Sequence, residues 1–134
     1  MAKIIAIQGI GAAYAAKLQE AGIEKTEQLL DAAAEKKGRA KLSKETGITE
    51  KLILTWVNHC DLYRVKGIGP QYAEVLEAAG VDSVPELATR KADTLLKKMK
   101  EVNEKMKLVR GLPAQKQVEN WIIRAKGLPK VVKH

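Results

Sequence analysis

Two stretches of the chain repeat one another. Gln8–Ile23 (QGIGAAYAAKLQEAGI) and Lys66–Val81 (KGIGPQYAEVLEAAGV) lie 58 residues apart and agree at eight of sixteen positions. A chain with this pattern must use one short supersecondary unit twice. In each copy a Gly-Ile-Gly leads into a helix, presenting backbone N–H groups at a helix N-terminus, where phosphate is readily held. The repeat continues further along: Trp56-Val57 recurs as Trp121-Ile122 at an offset of 65, and Cys60 and Ala125 follow at matching small positions. The change of offset, from 58 to 65, places about seven extra residues in the second copy. The Lys/Glu-rich run from Asp93 to Val109 has room for them, with no internal Gly or Pro. The expected division is 1–66 and 67–134, either as separate domains or packed as one body.

The punctuation within a copy is helical. Gly22-Ile23 and Gly80-Val81 read as helix ends, with Gly in the left-handed position and the next apolar residue folding back on the last turn. Ser83-Val-Pro-Glu86 reads as a capping box with Pro85 in the first turn. Thr49, Asp93 and Pro113 read as starts of later helices, and Gly111 and Gly127 as stops. Leu52, Ile53, Trp56, Val57 and Cys60 share one helical face, and no segment alternates as a strand would. The fold expected is all-α, with two tandem units of four to five helices each.

Composition narrows the class. With 134 residues, 46% apolar, and only two Trp, three Tyr and no Phe, the core must be built mainly from Ala, Leu, Ile and Val. No apolar run approaches the roughly 20 residues of a bilayer span, and the N-terminus has no signal-peptide pattern. The single Cys60 has no partner for an internal disulfide, which fits a reducing compartment. A cytoplasmic location follows as the expectation.

Ile7-Gln-Gly-Ile-Gly-Ala-Ala-Tyr-Ala15 and Val65-Lys-Gly-Ile-Gly-Pro-Gln-Tyr-Ala73 both match the signature of the helix-hairpin-helix superfamily, which the chain therefore resembles. Two degenerate hairpins, Thr46-Gly-Ile-Thr49 and Arg110-Gly-Leu-Pro113, complete the pattern. Two hairpins bridged by a helix resemble the compact (HhH)2 unit of that superfamily. Over almost its full length the chain looks like the bacterial domain-of-unknown-function 4332 family of tandem units of this kind.

The resemblance implies sequence-independent contact with the backbone of double-stranded DNA across the minor groove. Its donors would be the N–H groups of Gly9, Gly11 and Ala13, and of Gly67, Gly69 and Gln71. Ile10 and Ile68 lie within the same hairpins, and Lys17, Lys41, Lys44, Lys66, Arg110, Lys116, Arg124 and Lys126 would add charge. Pro70 has no N–H to donate. Contacts of this kind position a protein without reading sequence. The chain departs from the superfamily where many members place Lys or Arg just after the second Gly: here stand Ala12-Ala13 and Pro70-Gln71. Lys66 and Arg64 precede the second hairpin, whereas Gln8 and Ala6 precede the first, so on charge the second is the better phosphate site.

The net charge is +8 and the pI about 9.6, the electrostatic footprint of a polyanion binder. Residues 105–134 hold eight Lys or Arg against the single acid Glu119, and a smaller basic cluster runs from Lys36 to Lys44. The 93–109 helix reads as a solvated face. Trp56 and Trp121, and Tyr14 and Tyr72, occupy matching positions that read as packing residues. Cys60 reads as a small buried residue. His59 and His134 have no metal-ligand spacing around them, and no cofactor is expected. Catalytic motifs are missing too: Gly-Ile-Gly lacks the Gly-Lys-Ser/Thr of a P-loop. A DNA-binding function is therefore expected, with a protein-interaction or self-association module as the alternative and an enzyme well behind.

Overall fold

The computed structural model describes residues 3–7 and 9–134; Gln8, the first residue of the repeat, lies outside them. Among the described residues the chain is all-α. A 3-10 turn, Ile4–Ala6, precedes eight α-helices: α1 Gly11–Glu20, α2 Thr26–Ala33, α3 Lys36–Thr46, α4 Glu50–Leu62, α5 Pro70–Ala78, α6 Val84–Ala88, α7 Ala92–Met106 and α8 Gln115–Lys126. The nearest approach to a strand is an isolated antiparallel bridge between Lys3 and Lys25. Two compact units divide the chain, Met1–Asp61 with Val131–His134, and Leu62–Lys130.

Local chemistry sets the helix ends. At the end of α1 the Ile23 N–H donates to the Leu18 carbonyl (2.9 Å) and the Gly22 N–H to Gln19 (2.9 Å). At the end of α5, Val81 donates to Leu76 (2.8 Å) and Gly80 to Glu77 (3.0 Å). Both are Schellman closures, which need a left-handed residue, and Gly22 (φ 87°) and Gly80 (φ 92°) supply it. Thr49 caps α4 by accepting from the Leu52 N–H. At α6 half of the expected capping box forms: the Ser83 hydroxyl accepts from the Glu86 N–H (3.4 Å). The Glu86 carboxylate turns instead to Arg90, 2.6 Å away.

The expected stop of α7 near Gly111 is displaced. The helix ends at Met106, and Lys107 takes the left-handed cap at φ 51°. The Asn103 amide then holds Val109, donating to its carbonyl and accepting from its N–H, both at 3.0 Å. That pair of bonds offers the backbone a turn in place of further helix. Gly127 does follow the last residue of α8, but with an ordinary φ of −87°.

In the second unit α6 and α7 pack on α8, and α5 packs on α7. The core they enclose includes Val75, Leu76, Leu87, Met99, Val118 and Trp121. In the first unit the buried set includes Leu18, Leu29, Ile53, Trp56 and Val57, and α2 packs against α3. Gly38 lets those two helices meet backbone to backbone, for a Cβ there would overlap the Ala32 carbonyl oxygen. This closeness brings Arg39, only 3% exposed, to the open carbonyls at the end of α2. Its guanidinium donates to Ala33 (3.0 Å) and Ala34 (3.1 Å). It also donates to the Lys133 carbonyl at 2.8 Å. The segment Val131–His134 is fastened there as well: the Lys133 N–H reaches the Ala34 carbonyl (2.8 Å), Val132 is buried, and His134 Nε2 lies 2.8 Å from Asn58 Oδ1. Arg39, part of the basic cluster read from the sequence as charge for a polyanion, is thus a buried helix cap.

Two outcomes follow from this packing. Replacing Arg39 by Met removes its donors from the Ala33 and Lys133 carbonyls, while Ala34 keeps the Lys133 N–H, and should cost about 2–4 kcal/mol of unfolding free energy. Exposed Lys41→Met should stay within about 0.5 kcal/mol, and denaturant titration of both variants compares them. Burial, and then the neighbouring Asp61, push the Cys60 thiol up from 9.0 to about 12. The unfolded thiol ionises near 9 and the folded one near 12, so its contribution to stability is complete below pH 9 and lost as pH rises through 12. At pH 8 the native thiol should resist alkylation that the urea-unfolded chain undergoes at once, and Cys60→Ala should flatten the loss of stability between pH 9 and 12.

Candidate nucleic-acid interface

The second Gly-Ile-Gly turn is built from the inside outward. Val65 and Ile68 are buried, the Val65 N–H donates to the Leu62 carbonyl, and the Ile68 N–H to Val65, each at 3.1 Å. With the apolar pair turned in, Lys66 and Gly67 are left exposed at the tip. Gly67 has φ 101°, and a Cβ on it would come within 2.9 Å of Trp121 Nε1. Only glycine satisfies both conditions, and through this contact the tip rests on α8. Trp121 is also paired with Tyr72, ring centroids 5.3 Å apart at 57°.

Gly69 differs from Gly67. It is the extended N-cap of α5 (φ −106°, ψ −172°), and a Cβ there would meet nothing within 4 Å. Pro70 explains the conformation, because a proline drives the residue before it out of the helical region. Among the described residues the N–H groups of Gly67, Gly69 and Gln71 have no partner. Those of Gly69 and Gln71 stand at the open end of a nine-residue helix, where its dipole favours an anion.

The first Gly-Ile-Gly turn shares the inner bond, with the Ile10 N–H donating to the Ile7 carbonyl at 3.2 Å. Its outer geometry is different. Gly9 (φ 84°) and Gly11 (φ 72°) are both left-handed, since Ala12 places no restriction of the kind Pro70 does. Ala13 is exposed in the first turn of α1 and Lys17 in its last, where the Lys17 Nζ lies 5.8 Å from the Tyr14 ring centroid. Tyr14 pairs with Trp56 at 5.3 Å and 58°. Ile10 and Ile68 are buried with their amides turned inward, so within the hairpins their part is to anchor.

Lys41, Lys44, Lys66, Arg110, Lys116, Arg124 and Lys126 are all exposed. On α8, Val118, Trp121, Ile122 and Ala125 are buried, which turns Lys116, Arg124 and Lys126 to the opposite side. Ile123, 66% exposed, sits among them. Lys41 has mixed company, lining a groove of the first unit with Asp31 and Glu45. Arg64 donates to the Pro129 carbonyl (2.7 Å), tying the start of the second hairpin to the chain just beyond α8. Arg110 and Gln71, distant in sequence, line one cleft together with Tyr72, Asn103 and Lys107. Lys107 and Asn103 escape sequence reasoning, because a helix-internal Asn and one more Lys in a basic run give no sign of a left-handed turn. Among the described residues no cluster of His, Cys, Asp or Glu could hold a metal ion.

No curated protein and no solved structure matches the chain. A family model matches residues 8–128, from the first hairpin to the end of α8, and the chain belongs to that family, described as a domain of unknown function, DUF4332.

Proposed function

We propose that the protein binds double-stranded DNA without sequence preference, as a non-enzymatic, cytoplasmic, tandem helix-hairpin-helix protein whose second unit makes the stronger contact. The observation that carries the reading is the second Gly-Ile-Gly turn: amides at Gly67, Gly69 and Gln71 with no partner among the described residues, beside exposed Lys66. Phosphate oxygens fit such donors. The cations on the outer side of α8 add charge to the same unit. Support for a repeated unit comes from the equal offset of 58 in the hairpin bonds and Schellman closures, and from the matched Tyr-Trp pairs. The alternative, a protein-interaction or self-association module, is favoured by Ile123, an exposed apolar side chain amid the α8 cations.

Fluorescence anisotropy of a labelled duplex at several salt concentrations tests the reading. Neutralising about five phosphates gives a log–log slope of about −4 to −5; affinity that ignores salt would point to the protein-interaction alternative. Gly69→Ala fits the fold but pushes a methyl towards an approaching phosphate, so it should weaken DNA binding several-fold with the thermal midpoint nearly unchanged. Gly67→Ala meets the indole in a left-handed conformation and should cost about 1–3 kcal/mol of stability. In the full chain, Lys66→Glu with Arg124→Glu should reduce affinity more than Lys17→Glu with Lys44→Glu. Equal losses would overturn the ranking of the two units.

A further inference from the structure

The link between α3 and α4 is three residues long, 47–49, whereas that between α7 and α8 has eight, 107–114. The longer link forms one wall of a cleft in the second unit with a volume of about 830 Å³. Sites for small organic ligands span about 300–1,000 Å³. Gln71 and Tyr72 of α5 line it too, and Leu108 and Val109 add apolar surface. No acidic residue lines the cleft, and its two cations, Lys107 and Arg110, make no ion pair among the described residues.

The cleft is braced. Lys107 is held left-handed at φ 51°, a conformation that a lysine adopts only when its surroundings impose it. Asn103 clamps Val109 from both sides, and the Tyr72 hydroxyl points to the Gly111 carbonyl at 3.5 Å. A braced loop thereby carries two cations into the lining of the same cleft as the Tyr72 ring and the Gln71 side-chain amide, which can both donate and accept. Inorganic phosphate would use the charges and leave the aromatic and apolar walls idle. An uncharged aromatic ligand would do the reverse.

We propose that this cleft binds a phosphorylated nucleoside, with the phosphate on Lys107 and Arg110 and the base between Tyr72 and the Leu108 wall. The nucleoside can arrive free or as the 5′-phosphorylated end of a DNA strand. The strand-end source rests on the DNA-binding reading, because Gln71 belongs to both surfaces; the free source does not.

The test is an NMR titration of the ¹⁵N-labelled full chain with adenosine 5′-monophosphate, adenosine, inorganic phosphate, and duplexes with and without a 5′-phosphate. The nucleotide should shift the amides of Gln71, Val109 and Gly111 and the Asn103 side chain, saturably and at least about fivefold more tightly than adenosine or phosphate alone. Lys107→Ala with Arg110→Ala should weaken it about tenfold, as loss of two charge-assisted contacts predicts, with the rest of the spectrum retained. Equivalent cleft shifts from the phosphorylated duplex alone would assign the strand end. Cleft shifts from the nucleotide without any duplex binding would keep this site and remove the DNA-backbone reading. Salt-dependent duplex binding with a silent cleft would overturn this site and leave that reading intact. Equal response to inorganic phosphate, or shifts spread over all exposed lysines, would also overturn it.

Discussion

The indole of Trp121 lies so close to the backbone of Gly67 that a single added carbon would collide with its nitrogen. The contact joins the hairpin tip to α8, and α8 is the helix on which α6 and α7 both pack. With Gly67 seated there, Val65 and Ile68 turn inward, and the amides of Gly67, Gly69 and Gln71 have no partner among the described residues. The surface that the proposed function offers to phosphate is thus the outer side of a packing requirement. A residue that permits close approach also leaves the donors at the surface, so the proposed function draws on the same glycine that the packing requires.

The first unit is held differently. Gly38 removes the side chain that would keep α2 and α3 apart, and Arg39 fills the resulting position with a guanidinium shared among three carbonyls. A buried cation survives there because every acceptor is a carbonyl, two of them at the negative end of α2. The same bonds fasten Val131–His134 to this unit. Charge in the first unit is partly spent on structure, while the surplus in the second is exposed on α8 and around the 107–114 link.

Much of the all-helical plan was legible in the sequence. Gly22, Gly80, Ser83 and Thr49 announce their ends through local chemistry, since each such bond closes within a few residues and needs no partner from elsewhere. The equal offset of the two Gly-Ile-Gly stretches announces the repeated turn for the same reason. The end of α7 was not legible: the Lys/Glu run has good helix formers up to Lys107, and only the bonds between Asn103 and Val109 divert the chain there. Nor was the meaning of Arg39, because a cation in a basic run looks the same whether it faces water or a helix end. The hairpins themselves diverge where Pro70 replaces Ala12, a difference visible in the sequence but given a consequence only by the backbone around Gly69 and Gly11.

By itself the sequence determined the helical class, the repeat, the basic surplus and the family, all properties of local pattern and composition. Tertiary structure decided which residues of that pattern are free to act. It buried Arg39, turned the amides of Ile10 and Ile68 inward, left those of Gly67, Gly69 and Gln71 without a partner among the described residues, and brought Gln71 and Arg110, 39 positions apart, into the lining of one cleft. The physical reason is that burial and closeness depend on which helix faces meet, and that is settled by packing between segments far apart in the chain.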